Sequence, residues 1–194
     1  MKKILFLPFL ALLIMGLVSC EKELIETENG FDSQELMSTI RSNGKATVPF
    51  HGVFANSIDP DSTYFDEEGN LHEFMTGIGH ASHLGNCTLH ASTTVYTGFY
   101  LEPPPEPPYI QNGDNMTFVA ADGSTFTCSY AGTTSPGTPP VFFAGDGTWE
   151  INEGMGTKRF VGTTGSGTYS YVAIMDADGN VSSEFEITGT LTNP

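Results

Sequence analysis

From Val48 onward, apolar side chains recur at every second position of this chain. Val48, Phe50, Gly52 and Phe54 form the first such run. Successive side chains of an extended strand face opposite sides, so this period indicates strands with one buried face. No segment after residue 45 shows a sustained helical period. The pattern therefore predicts an all-β domain.

Turn signals separate the alternating runs. Asp122-Gly123 and Asp178-Gly179 are dipeptides typical of tight hairpins. The remaining runs cover Phe74–Ile78, Leu89–Val95, Met116–Ala120, Phe126–Tyr130, Trp149–Ile151, Tyr169–Ala173 and Phe185–Leu191. Short strands joined in this way predict a small antiparallel β-barrel of roughly eight strands, with a β-sandwich as the alternative.

The N-terminal segment has a different composition. Lys2 and Lys3 precede an unbroken apolar run over 4–18, and a serine stands before Cys20. A spanning helix needs about 20 apolar residues, whereas a signal peptide needs about 7–15. Residues 1–19 are therefore predicted to be a signal peptide. The sequence LVSC over 17–20 resembles the lipobox of bacterial lipoproteins, which implies cleavage before Cys20 and lipid attachment to its thiol.

Residues 20–44 follow as an acidic stretch with few apolar side chains, which predicts a flexible tether. Such a stretch after the lipidated cysteine resembles the surface-export signal of Bacteroidetes lipoproteins. The resemblance implies a lipid-anchored protein of the outer membrane, facing either the cell surface or the periplasm. Residues 45–194 then form a single barrel domain.

The charge of the chain excludes one class of partner. Its formal net charge is −16, and it has few Lys and Arg residues. Nucleic-acid binding needs clustered cations that displace phosphate counterions, so no nucleic-acid partner is expected. The chain also lacks a phosphate loop and a dinucleotide fingerprint, so no cofactor is predicted. His80 and His83 would face opposite sides of a strand, and no metal site is predicted from them.

Three segments carry a family resemblance: GTWEI over 147–151, GTKRFVGTTGSGTY over 156–169 and GHASHLG over 79–85. Together they resemble the allene oxide cyclase barrel-like group, whose small eight-stranded barrels are related in shape to calycins. The resemblance covers roughly residues 45–194 and implies a closed barrel. Its glycine- and threonine-rich motifs specify a fold rather than a reaction.

The interior of such a barrel either fills with side chains or holds one small ligand. The candidates to line a cavity are Phe126, Trp149, Phe160, Tyr169 and Tyr171. The leading hypothesis is a binding module for a small apolar or glycan-type ligand, or for an envelope partner protein. The alternatives are a structural envelope protein with a filled core, and a barrel enzyme of the cyclase or isomerase type.

No catalytic residue is assigned from the sequence. Glu150, Glu184 and Glu186 alternate with apolar neighbours and are therefore expected to face solvent. The pattern thus offers no buried acid. Cys87 and Cys128 both fall on the apolar face of their strands. In an oxidising envelope they are candidates for a disulfide, the alternative being two separate buried thiols.

Overall fold

Within residues 46–193, the part of the chain that the computed structural model describes, nine strands and one short 3₁₀ helix form. None of these residues forms a helix long and apolar enough to cross a membrane. The predicted signal peptide, Cys20 and the acidic tether lie outside the described residues. The strands are β1 (Ala46–Ile58), β2 (Tyr64–Phe65), β3 (Leu71–Ala81), β4 (Gly85–Val95), β5 (Tyr109–Ala120), β6 (Thr125–Pro136), β7 (Val141–Ile151), β8 (Thr164–Met175) and β9 (Val181–Asn193), and the helix is Lys158–Phe160.

The sheet closes on itself. Neighbouring strands pair antiparallel from β3 through β9, and β1 pairs with β9 on one side and β3 on the other. β2 lies outside this ring and pairs with β3. The predicted eight-stranded barrel is confirmed and the sandwich alternative is not. Each of the eight barrel strands pairs on both sides, with β1 joined to β3 over Gly52–Ile58. Closure thus removes most of the free sheet edge, which would otherwise be a template for aggregation.

The orientation of β3 differs from the expected one. Phe74 and Ile78 continue the apolar alternation in the sequence, but they point outward and are 42% and 71% exposed. The inward positions are the odd ones, from Leu71 through Glu73 and Met75 to Ala81. Both faces of this strand carry apolar residues, and two of the inward residues are glycines without a hydrophobic signal. Apolar alternation alone therefore selects the wrong face.

Glycines let large rings lie flat against the inner wall. A Cβ at Gly132 or at Gly147 would stand 2.7 Å from the hydroxyl oxygen of Tyr169. A Cβ at Gly189 would likewise stand 2.8 Å from the indole ring of Trp149. Small residues facing large ones are how a narrow barrel accommodates its interior side chains. These three glycines thus set where the rings of Tyr169 and Trp149 can lie.

Aromatic side chains fill one half of the barrel interior, around Phe50, Phe126, Trp149 and Phe160. We call this region the packed half. Edge-to-face contacts connect its rings: the Phe50 ring centroid lies 5.6 Å from that of Trp149 and 5.8 Å from that of Phe126, which is 5.2 Å from that of Phe160. This geometry suits the aromatic quadrupole. The Trp149 indole N–H also donates to the Thr188 carbonyl oxygen at 3.0 Å. The position of Trp149 is therefore fixed both by burial and by a hydrogen bond.

Different connections lie at the two ends of the barrel. The end next to the packed half, which we call the packed end, holds the turns 82–84 and 121–124 and the segment 152–163. His83 in the first turn has φ 66° and donates from Nε2 to the Pro49 carbonyl oxygen at 3.0 Å, so it joins the β3–β4 turn to β1. The opposite end, which we call the mouth, is surrounded by the connections 59–70, 96–108, 137–140 and 176–180.

Candidate functional site

The barrel interior opens into a cavity at the mouth. The cavity volume is about 40 Å³, which is room for roughly three water molecules. The floor is formed by Leu89, Met116 and Phe185, and the walls are mostly apolar. The polar members of the lining are Glu73, Thr93, Gln111, Tyr130, Thr134, Tyr169, Tyr171 and Ser183. Apolar walls with a few convergent polar groups are typical of small-molecule sites.

Glu73 is the acid of this cavity. It lies on β3 opposite Thr93 of β4, and both side chains face inward. Within residues 46–193 its carboxyl group has neither a hydrogen-bond partner nor an ion-pair partner. Removal from water disfavours the charged form and raises the pKa of Glu73 from its ordinary 4.5 to about 7. At neutral pH this group is therefore poised between its two protonation states.

A hydrogen-bonded network occupies the wall opposite β3. Gln111, which is 2% exposed, donates from Nε2 to the Tyr169 oxygen at 3.0 Å. Its Oε1 accepts from the Tyr171 hydroxyl at 2.9 Å, and Thr134 Oγ1 lies 2.7 Å from that hydroxyl oxygen. Because Tyr169 accepts in this bond, its own proton is free to donate to a bound molecule. The network fixes the rings and leaves one donor for a ligand.

A third tyrosine is held separately. The Tyr130 hydroxyl donates to the Ser92 carbonyl oxygen at 2.8 Å and accepts from the Thr93 hydroxyl. Burial raises the pKa of Tyr169 to about 12, and it raises the pKa values of Tyr130 and Tyr171 further. The negative charge of Glu73 contributes to the increase at Tyr130 and Tyr171, which line the same cavity. All three phenols stay protonated at neutral pH.

The charge around the mouth is of one sign. The connections at this end contain no Lys or Arg, and within residues 46–193 the fixed cations are Lys158 and Arg159 at the packed end. Arg159 pairs there with Asp122 at 3.3 Å. The acids of the mouth connections are Asp59, Asp61, Asp66, Glu67, Glu68, Glu102, Glu106, Asp176 and Asp178. The entrance therefore has a negative potential.

The structure divides the predicted cavity residues into two groups. Tyr169 and Tyr171 line the cavity, whereas Phe126, Trp149 and Phe160 belong to the packed half. A cavity and a filled core, which the sequence posed as alternatives, occupy different halves of one barrel. The three acids expected to face solvent do so: Glu150, Glu184 and Glu186 are exposed.

The structure does not bring Cys87 and Cys128 together. Both are free and buried. Cys87 pairs with Ala120 of β5, and Cys128 pairs with Met116 of the same strand from its other side. The two cysteines are therefore offset by four residues along the strand direction and by two strand spacings across the sheet. This offset puts the Cα atoms of Cys87 and Cys128 about 16 Å apart. A disulfide connects Cα atoms no more than about 7 Å apart.

Several polar residues of the site were not predicted from the sequence to line a cavity, among them Glu73, Gln111 and Tyr130. Glu73 is the inward, half-buried acid that the pattern did not offer, because the outward Phe74 and Ile78 obscured the inward parity of β3. The spacing of Leu71, Met75 and Ala81 is the signal that could have revealed it. Gln111 was hidden because a register shift between Gly113 and Met116 changes the parity within β5.

No family model, curated protein or solved structure matches the chain. Similarity to known proteins therefore identifies neither a family nor an activity, and the geometry of the cavity is the basis for a functional proposal.

Proposed function

We propose that this chain is a lipid-anchored envelope protein whose barrel binds a small, partly apolar molecule at its mouth. The LVSC sequence over 17–20 supports the anchor, with Cys20 as the lipidated residue. The acidic tether supports an outer-membrane location. The two halves of the barrel support the binding role, since one is filled with aromatic rings and the other is not.

The observation that carries the binding role is the convergence of polar groups on the cavity. A filled structural core has no need for an inward carboxyl group, and burial without a partner disfavours its charged form. Glu73 and the Tyr169 proton are instead placed where a bound molecule could use them.

The size of the cavity limits the ligand. A volume of about 40 Å³ accommodates a short alkyl or ammonium group, but it is smaller than the roughly 150 Å³ of an apolar cavity that encloses a benzene ring. A ring or any larger group therefore extends through the mouth. The bound part is therefore a small apolar group with one or two polar atoms.

Binding can be tested with benzyl alcohol, an uncharged single-ring probe, titrated into ¹⁵N-labelled protein. We expect saturable shifts of amides near Ala91, which lines the cavity on β4. The substitution Ala91→Phe should abolish them because the added ring fills the space. His90→Phe is the matched control, since His90 is the preceding residue on β4 and faces outward. Shifts that persist in Ala91→Phe, or that never saturate in the wild type, would refute binding in the cavity.

A second candidate function is proton-transfer catalysis of the isomerase or cyclase type. The favouring observation is a carboxyl group with a pKa of about 7 that shares one cavity with three phenols. A general acid or base is most effective when its pKa is near the working pH. Such a carboxyl group could remove a proton from one atom of a bound molecule and return it to another.

Deuterium incorporation tests this candidate. Small molecules extracted from the protein, purified from its own cells, would be returned to it in heavy water. We expect wild-type protein to introduce deuterium at a carbon position and Glu73→Gln not to do so. Exchange that is equal in both proteins, or absent from a molecule shown to bind, would exclude Glu73 as an acid or base catalyst.

A further inference from the structure

We propose that the ligand of this cavity is a small organic cation, an amine whose ammonium group pairs with the Glu73 carboxylate and whose apolar part lies among the tyrosine rings. The inference rests on the proposed binding function and specifies its ligand class. Its basis is the arrangement of one unpartnered acid, three phenol rings and an acidic entrance around one space.

The carboxylate has no cation of its own. Within the described range the fixed cations are Lys158 and Arg159, which lie at the packed end beside Asp122. No histidine lines the cavity. A buried carboxylate becomes favourable when an opposite charge is close. Since residues 46–193 supply none, a cationic ligand would supply it.

The rings around Glu73 suit an ammonium group and its apolar substituent. Tyr130 and Tyr171 line the same cavity as Glu73, and its negative charge contributes to their raised pKa values. A cation over a tyrosine face is attracted by the ring quadrupole, and this attraction increases where water is excluded. The Tyr169 ring packs against Phe185, with 5.7 Å between ring centroids, and extends the aromatic surface for the apolar part.

The entrance selects for the same charge. The connections 59–70, 96–108 and 176–180 contribute only acidic charges around the mouth. Such a field raises the local concentration of cations and excludes anions. A carboxylate ligand would meet repulsion at the entrance and again at Glu73. The expected order of affinity is therefore cation, then neutral molecule, then anion.

Glu73 also makes the binding dependent on pH. The titratable groups that line the cavity are Glu73, Tyr130, Tyr169 and Tyr171, and the phenols remain neutral below pH 9 because burial raises their pKa values. Glu73 is protonated at about pH 5.5 and mostly ionised at about pH 8. An amine that stays protonated throughout should bind at least about 10-fold more tightly at the higher pH.

Three probes that share one ring test the proposal: benzylamine, benzyl alcohol and benzoate, each titrated by NMR at about pH 5.5 and pH 8. At the higher pH we expect benzylamine to bind at least about 10-fold more tightly than benzyl alcohol, and benzoate not to bind. Lowering the pH should remove the preference for benzylamine while the affinity for benzyl alcohol stays unchanged.

The substitution Glu73→Gln keeps the shape and removes the charge. It should reduce the benzylamine affinity to that of benzyl alcohol, with Glu150→Gln on the outer face as the control. If benzyl alcohol binds as tightly as benzylamine in the wild type, the cation proposal fails and the binding function stands. If Glu73→Gln keeps the preference, Glu73 is not the partner and the proposal also fails. If no probe binds, both fail.

Discussion

Replacing Trp149 with alanine is expected to lower the free energy of unfolding by about 3–5 kcal/mol, the ordinary range for a buried Trp→Ala change. Trp149 is 2% exposed and contacts Phe50, and its indole N–H donates to the Thr188 carbonyl oxygen. The substitution removes the ring and opens a space that the closed barrel can collapse around only in part. In a domain of this size the melting temperature should fall by about 10 °C.

The loss should be measured by circular dichroism during urea unfolding, because Trp149 is the sole tryptophan of the chain. Trp149→Phe is the matched control. It keeps an aromatic ring in the packed half but removes the indole donor, for a loss of about 1–2 kcal/mol. If the alanine and phenylalanine variants were equally stable, ring packing in this half would not be what stabilises the barrel.

The wild type should also lose stability as pH rises, and Glu73→Gln should not. The pKa of Glu73 is about 7 in the folded protein and 4.5 ordinarily, so the unfolded chain releases this proton first. Between these values the folded state binds more protons, and the free energy of unfolding falls with increasing pH. Below pH 4.5 Glu73 contributes about 3 kcal/mol to the free energy of unfolding, and this contribution disappears by about pH 7.

This effect is measured by urea unfolding of wild type and Glu73→Gln at intervals from about pH 4 to pH 8. The difference between their free energies of unfolding at each pH isolates Glu73, because the other titratable groups contribute equally to both proteins. Asp66 and Asp122 have lowered pKa values and act in the opposite sense at more acidic pH. Glu150→Gln should follow the wild-type profile. Parallel profiles for wild type and Glu73→Gln would mean that the carboxyl group is solvated in the folded protein.

The fold could be predicted from the sequence because most strands show one clear apolar face. Phe50 and Phe54 on β1 point inward as their alternation predicts, and so do Phe126 and Cys128 on β6. Glycine dipeptides mark the hairpins. The number of strands followed from these features, and closure was favoured over a sandwich by the family-like glycine motifs. The pairing of β1 with β3 is what the structure adds.

The site could be predicted only in part, for a physical reason. Tyr169 and Tyr171 are large inward side chains on a regular strand and were identified. Glu73 and Gln111 are polar, so burial gives them no hydrophobic signal, and each lies where parity is ambiguous or shifted. A polar group that faces a cavity interrupts the apolar alternation on which such predictions depend. The residues most relevant to function are therefore the hardest to predict.

The separation of the barrel into a packed half and a mouth has a consequence for protein engineering. The four connections at the mouth take no part in the aromatic packing around Trp149, so their sequences could be exchanged without disturbing the part that stabilises the fold. Cavity residues outside that core, such as Ala173, could be varied in the same way. The packed half would then serve as a constant base on which new recognition sites are selected.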